Sequence, residues 1–193
     1  IVLFILESVG SREMFREGAL SPTVTPRLFG LRDHMVQFDR IYGTFPASMR
    51  GHLPLNTGGS TVTWNSFTPE SARYTGPTIE GVLKQAGYKT GLVSSGEFRT
   101  ENIDAFYTRL GYDYLFEPGQ ETPAFVASHS VHSWGLDEDI ARERGTAWID
   151  TLPPSQPFFL QFLTIATHHP YSGPSWYTGP LPPADDEAKY YNA

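Results

Sequence analysis

The 193-residue chain is 39% hydrophobic and 14% aromatic, which is enough to bury one domain's core and excludes a disordered tail. A formal net charge of −7 and a pI near 5.3 argue against nucleic acid as a partner, because such binding needs a basic face to displace counterions. The absence of cysteine excludes a disulfide framework, thiolate metal sites and a thiol nucleophile, while leaving the compartment open.

The unbroken apolar run Ile1–Leu6 predicts a strand buried on both faces. It is far shorter than the roughly 20 residues that cross a bilayer. No basic region precedes it and no small-residue cleavage site follows, so it does not read as a signal peptide. It runs into the polar turn Glu7-Ser8-Val9-Gly10. The start in mid-strand without Met, and the stop at Ala193 after the acidic stretch Asp185–Lys189, read as an internal fragment, with any membrane anchor upstream.

Thr25 as cap and Pro26 at the first helical position predict a helix to about Met35, and the alternating Val36–Tyr42 predicts a second strand. Thr44–Gly59 reads as loop and short helix. Thr78 opens an amphipathic helix that Gly87 stops, and Tyr88–Ser94 is a third strand. A helix over Thr100–Leu110, capped by Gly111, precedes a short edge strand at Tyr112–Phe116. Asp137–Leu152 is a helix with acids at its start and Pro153-Pro154 beyond its end. Pro157–Thr164 is a buried strand that runs on to Thr167-His168-His169-Pro170-Tyr171. The Pro-rich stretch from Gly173 to Pro183 reads as a surface loop, and no internal repeat is visible.

Strands alternating with helices imply an α/β fold whose sheet is at least partly parallel, with right-handed crossovers. Sites in such sheets lie outside the carboxyl ends of the strands. Two strands here end in chemically loaded turns, at Glu7 and at His168.

A carboxylate at Glu7, after six apolar residues, must be paired, hydrated or bound to a cation. It is either a solvated strand-end acid or a metal ligand. Ser48 falls ten residues before Gly58, at the expected start of a helix, where backbone N–H groups favour an anion and help ionise a hydroxyl. The alternative is an ordinary capping serine, and Thr44 is the rival nucleophile. Arg50 and His52 either hold an oxyanion or are solvated. Of the adjacent His168 and His169, at most one points into a site. Trp134 and Asp137 read on their own as packing and a helix cap. No Gly-rich phosphate loop, HExxH or GxSxG occurs.

In order along the chain, Ile1–Gly10, Thr25–Tyr42, Phe45–Gly58, Thr78–Ser95, Trp134–Asp139 and Pro157–Tyr171 resemble the sulfatase-like branch of the alkaline phosphatase superfamily, with lipoteichoic-acid-synthase-like phosphoglycerol transferases the most similar group. The resemblance implies an alkaline-phosphatase-like α/β sandwich, with a largely parallel central sheet flanked by helices and incomplete at its C-terminus. Residues 1–193 would be the N-terminal part of a single catalytic domain, ending before the family's Asp-His metal motif.

It also implies a metal-dependent hydrolase or transferase of phosphate or sulfate esters, working through a covalent hydroxyl nucleophile. Glu7 and Ser48 would ligate a divalent metal (Mn²⁺, Mg²⁺ or Zn²⁺), with Ser48 as nucleophile. His168, in His-x-Pro-Tyr, would contact the phosphate or sulfate, and Trp134 would line the pocket; Arg50, from its place after Ser48, is a further substrate-binding candidate. The substrate could be lipid- or glycan-linked, and the location would be the extracytoplasmic face of a bacterial cell membrane. Leu136 stands where the transferases carry the Arg of Trp-x-Arg, which weighs against a phosphoglycerol substrate. His52 stands at the Arg position of the Cys/Ser-x-Pro-x-Arg sulfatase signature, so formylglycine maturation has no support. A phosphodiesterase or phosphatase of the same fold, and a non-catalytic binding domain, are the alternatives.

Overall fold

Among the described residues, two of the expected strands occupy the middle of a four-stranded, all-parallel sheet. The computed structural model describes residues 1–16, 18–38, 40–43, 48–59, 74–99 and 103–168. The central strands are β4 (Lys89–Ser94) and β8 (Phe158–Leu163), paired in register from Lys89↔Phe158 to Ser94↔Leu163. β1 (Val2–Ile5) flanks β8 and β5 (Tyr114–Phe116) flanks β4, giving the order β1-β8-β4-β5. This is the parallel α/β sheet that the alternation of strands and helices implies.

Successive side chains on the central strands enter two cores. Leu92 and Leu163 join Phe98, Ile103, Phe106 and Tyr107 on one face, beneath α5 (Ile103–Leu110). Val93, Leu160 and Phe162 join Phe116, Leu136 and Ala141 on the other, beneath α7 (Glu138–Asp150). Gly91 brings α7 close, because a Cβ there would lie 2.6 Å from the Trp148 ring. That indole in turn stacks on Tyr114 at a centroid distance of 5.6 Å.

Several elements differ from the sequence reading. β1 is a strand but not a buried one: Val2 and Phe4 are 45% and 61% exposed, because the strand has β8 as its only partner among the described residues. The helix after Thr25 is shorter. α2 (Pro26–Leu31) tightens into a 3-10 turn at Arg32–His34 and ends there. Val36–Tyr42 forms no strand among its described residues. Its alternation has no ladder to join, and Val36, Phe38, Ile41 and Tyr42 are exposed.

Small elements that carry no strong periodicity were not foreseen. They are α1 (Ser11–Met14), the hairpin of β2 (Phe15–Arg16) and β3 (Ala19–Leu20), α6 (Pro123–His129), and the hairpin of β6 (Ser130–His132) and β7 (Gly135–Leu136). The expected loop at Gly173–Pro183 lies outside the described residues. No helix among those described is long and apolar enough to cross a membrane.

A polar network runs through the α5-side core. From α3 (Ser48–Thr57), His52 Nδ1 lies 2.9 Å from the Tyr107 hydroxyl. Gln161 Nε2 donates to the same hydroxyl at 3.4 Å, and the Tyr112 hydroxyl donates to Gln161 Oε1 at 2.9 Å. Asn56, also on α3, lies within 3.3 Å of the Tyr112 hydroxyl.

Glu80, on α4 (Ile79–Gln85), is fully buried near these tyrosines, and neither of its carboxylate oxygens accepts a hydrogen bond among the described residues. Burial is the largest influence on its pKa and raises it above the ordinary 4.5. The folded state therefore holds this proton more tightly than the unfolded chain does. Its contribution to stability is complete below the unfolded value and is lost as pH climbs through the folded one. Glu80→Gln should accordingly be more stable than wild type at pH 8 by about 1–3 kcal/mol, with the difference closing near pH 4. Paired denaturant titrations at the two pH values measure this, and a pH-independent difference would contradict it.

Candidate functional site

The carboxyl ends of β1, β4 and β8 are tied into one surface by their own loops. After β1, the Glu7 backbone N–H donates to Thr164 Oγ1 at 2.9 Å, and the Thr167 hydroxyl donates back to the Glu7 carbonyl. The Glu7 carboxylate accepts from Ser8 Oγ at 3.0 Å. Ser8 holds a left-handed backbone (φ 53°), so a strained non-glycine residue makes the turn directly after Glu7.

After β4, Ser95 N–H donates to Leu163 O, and Ser95 O accepts from Leu136 N–H at 2.8 Å, which fastens the β6–β7 hairpin to the sheet. Glu97 N–H donates to Trp134 O. After β8 the chain turns, with His168 N–H donating to Ile165 O at 2.8 Å, and this brings the imidazole to 4.8 Å from the Trp134 indole, centroid to centroid. Trp134 is 42% exposed, a bulky aromatic held at an open edge.

Ser48 is the first residue of α3 and is exposed. The helix is fixed one turn further on by His52 and then by Leu53, which packs on the α5-side core. It ends at Thr57, where Gly58 takes φ 66° and donates its N–H to Pro54 O. His52 also lies within electrostatic reach of the Glu7 carboxylate after β1. Burial lowers its pKa from 6.5 to about 4, and the nearby Glu7 carboxylate pulls in the opposite direction. The imidazole is therefore neutral at pH 7, which fits its Nδ1 accepting the Tyr107 proton. His52 is thus neither an oxyanion-holding cation nor a solvated one.

The surface thus gathers Glu7, Trp134 and His168, while α3, which begins at Ser48, is anchored through His52 to Tyr107. Thr44 and His169 lie outside the described residues, as does the side chain of Arg50. Leu136 is fully buried in the α7-side core, so the position occupied by Arg in the transferase motif is a packing position here. Asp137 is the cap of α7, accepting from Asp139 N–H.

Glu138, read from sequence only as one of the acids at a helix start, does more than that. Its Oε1 accepts from the backbone N–H of Ile165 and Ala166 at 2.7 and 2.8 Å, and its Oε2 accepts from the Ser95 hydroxyl. Burial raises its pKa, against these three donors. The one signal in the sequence was a surplus carboxylate directly after the capping Asp137.

Glu7 is a hard oxygen donor of the kind a divalent cation takes. Among the described residues, no group of three or more His, Asp or Glu side chains is assembled to hold one.

The parallel α/β sheet carries an acid and an aromatic–histidine pair beyond the carboxyl ends of its strands, where sites of this fold class lie. The chain belongs to the Sulfatase family, whose model matches residues 1–192. It is 26% identical over 162 residues to phosphoglycerol transferase I of Escherichia coli (strain 55989 / EAEC), a match covering 77% of this chain and 20% of that protein. In structure it is similar to a protein of the alkaline phosphatase superfamily from Vibrio parahaemolyticus, with a TM-score of 0.71 and 26% identity over 99% of this chain and 47% of that one. It shares its fold with the lipoteichoic acid synthase LtaP from Listeria monocytogenes, at a TM-score of 0.76 and 17% identity over 100% of this chain and 48% of that one. The chain spans about a fifth of the curated relative's length and just under half of each solved chain.

Proposed function

We propose that the protein transfers or hydrolyses phosphate or sulfate esters through a covalent intermediate on Ser48, at the extracytoplasmic face of a bacterial membrane. The observation that carries the reading is the shared carboxyl-end surface of Glu7, Trp134 and His168, and α3 opening on Ser48 with its His52 within electrostatic reach of Glu7 supports it. Family membership supports the ester class, and the phosphoglycerol transferase similarity supports transfer.

Ser48 Oγ forms the bond to phosphorus or sulfur while the ester's alkoxide leaves with the bonding pair. Water or a second alcohol then repeats the displacement and frees the serine. The N-terminal peptide groups of α3 and the His168 imidazole face the charge that builds on the transferring oxygens. The exposed Trp134 ring packs against the alcohol part of the ester, lipid or glycan. Glu7 and Ser48 are the residues offered to a divalent cation (Mn²⁺, Mg²⁺ or Zn²⁺), which when bound supplies charge neutralisation and a lower serine pKa.

The test is turnover of a phosphomonoester, a phosphodiester and a sulfate ester by the intact protein, as purified, chelated and metal-restored. At least one ester should turn over, fall to background on chelation and recover with the cation. Turnover indifferent to chelation removes the metal from the reading. No turnover, together with no cation binding, leaves a binding domain on a retained fold.

A further inference from the structure

First-turn acids ordinarily face the free N–H groups of their own helix. Asp137 already does this for α7, and Glu138 turns away from it to the loop that follows β8. We infer that Glu138 is a positioning residue for His168, its carboxylate clamping the Ile165 and Ala166 N–H groups to the Ser95 hydroxyl at the end of β4.

The geometry is specific in three ways. One oxygen takes two consecutive backbone donors, which fixes the direction of the chain where it leaves the sheet. The residue so fixed, Ile165, offers the carbonyl that accepts the His168 N–H, so the clamp is one hydrogen bond from the histidine backbone. The second oxygen holds Ser95, whose carbonyl accepts from Leu136 in the hairpin that carries Trp134. A single side chain therefore sets both halves of the Trp134–His168 pair. Charge-assisted bonds of this kind are about twice as strong as neutral ones and impose direction. The inference rests on the proposed role of His168 at the ester.

The test is a double-mutant cycle in the intact protein, on whichever ester turns over. Glu138→Ala should lower kcat/KM by about 10–100-fold, the size of effect found for groups that orient metal-ligating side chains. Added to His168→Ala, the same change should cost several-fold less than it does in the wild-type background, because the part of its effect that acts through His168 is already lost. Glu138→Gln keeps an oxygen for the two backbone donors and should recover most of the activity.

A readout free of turnover is the His168 ring resonance in ¹³C-histidine-labelled protein. Trp134 shifts it by its ring current, and it should move toward the solvent-exposed position in Glu138→Ala but not in Glu138→Gln. The full penalty persisting in the His168→Ala background, or an unmoved resonance in Glu138→Ala, overturns the inference and leaves the site reading intact. His168→Ala without effect on turnover defeats the site reading, and the ring-current result alone then decides for Glu138. If Glu138→Ala is not recovered folded, Glu138→Asp, with its reach one methylene shorter, runs the same cycle.

Discussion

Ser48→Ala in the intact protein is expected to lower ester turnover on the order of 10³-fold or more while changing stability little. The two halves of that expectation have separate causes. Ser48 is exposed and is the first helical residue of α3, where alanine is at least as favourable for the helix. The anchors of α3 lie deeper, in the His52–Tyr107 hydrogen bond and in the packing of Leu53, and the substitution touches neither. Loss of the hydroxyl removes the bond-forming atom, and residual rate then comes only from whatever attacks in its place. Mass analysis of peptides from protein quenched during turnover should find a phosphoryl or sulfuryl adduct on the Ser48 peptide and none in the variant. Unchanged turnover in Ser48→Ala, or an adduct on the peptide's Thr44, would transfer the nucleophile's role to Thr44.

What could be read from sequence follows from how local each cause is. α7 was legible because its signals are adjacent: Asp137 caps it, acids follow, and Pro153-Pro154 forbid its continuation. β4 and β8 were legible as strands because their apolar side chains serve both faces of the sheet. The same criterion failed for the burial of β1, since a strand's lateral place depends on partners 157 or more residues away, and an apolar run carries no information on them. Val36–Tyr42 failed for the complementary reason, having alternation without a ladder. At the site, Glu7 and His168 were legible as polar residues ending apolar strands. Glu138 was not, because its partners lie 27, 28 and 43 residues away and consist of two backbone groups and a serine with no motif of its own. His52 was open between two readings that both left it charged or solvated. Its neutrality comes from burial, and its hydrogen-bond partner Tyr107 lies 55 residues later.

The other large effect belongs to a residue without a side chain. A Cβ at Gly135 would lie 2.1 Å from the Ser95 carbonyl oxygen and 2.7 Å from Ile165 Cγ2. Contact with a flexible side-chain end could relax, but Ser95 O cannot withdraw freely. It accepts from Leu136 N–H, its own N–H is held by Leu163 O, and its hydroxyl is held by Glu138. Gly135→Ala must therefore push the β6–β7 hairpin off the end of β4. The expected cost is about 1–3 kcal/mol, the range for an added methyl meeting packed structure, read as a lower urea midpoint. Gly30→Ala is the internal control, since nothing lies within 4 Å of its Cβ and its φ is not left-handed, so it should be neutral or slightly stabilising. The hairpin carries Trp134, and Ile165 lies three residues before His168. Displacement should therefore separate the indole from the imidazole even in molecules that remain folded, and turnover per folded molecule should fall as well. A Gly135→Ala protein within about 0.5 kcal/mol of wild type and with full turnover would mean that the close approach of hairpin and strand end does not exist in solution, and the Trp134–His168 pair would lose its structural basis with it.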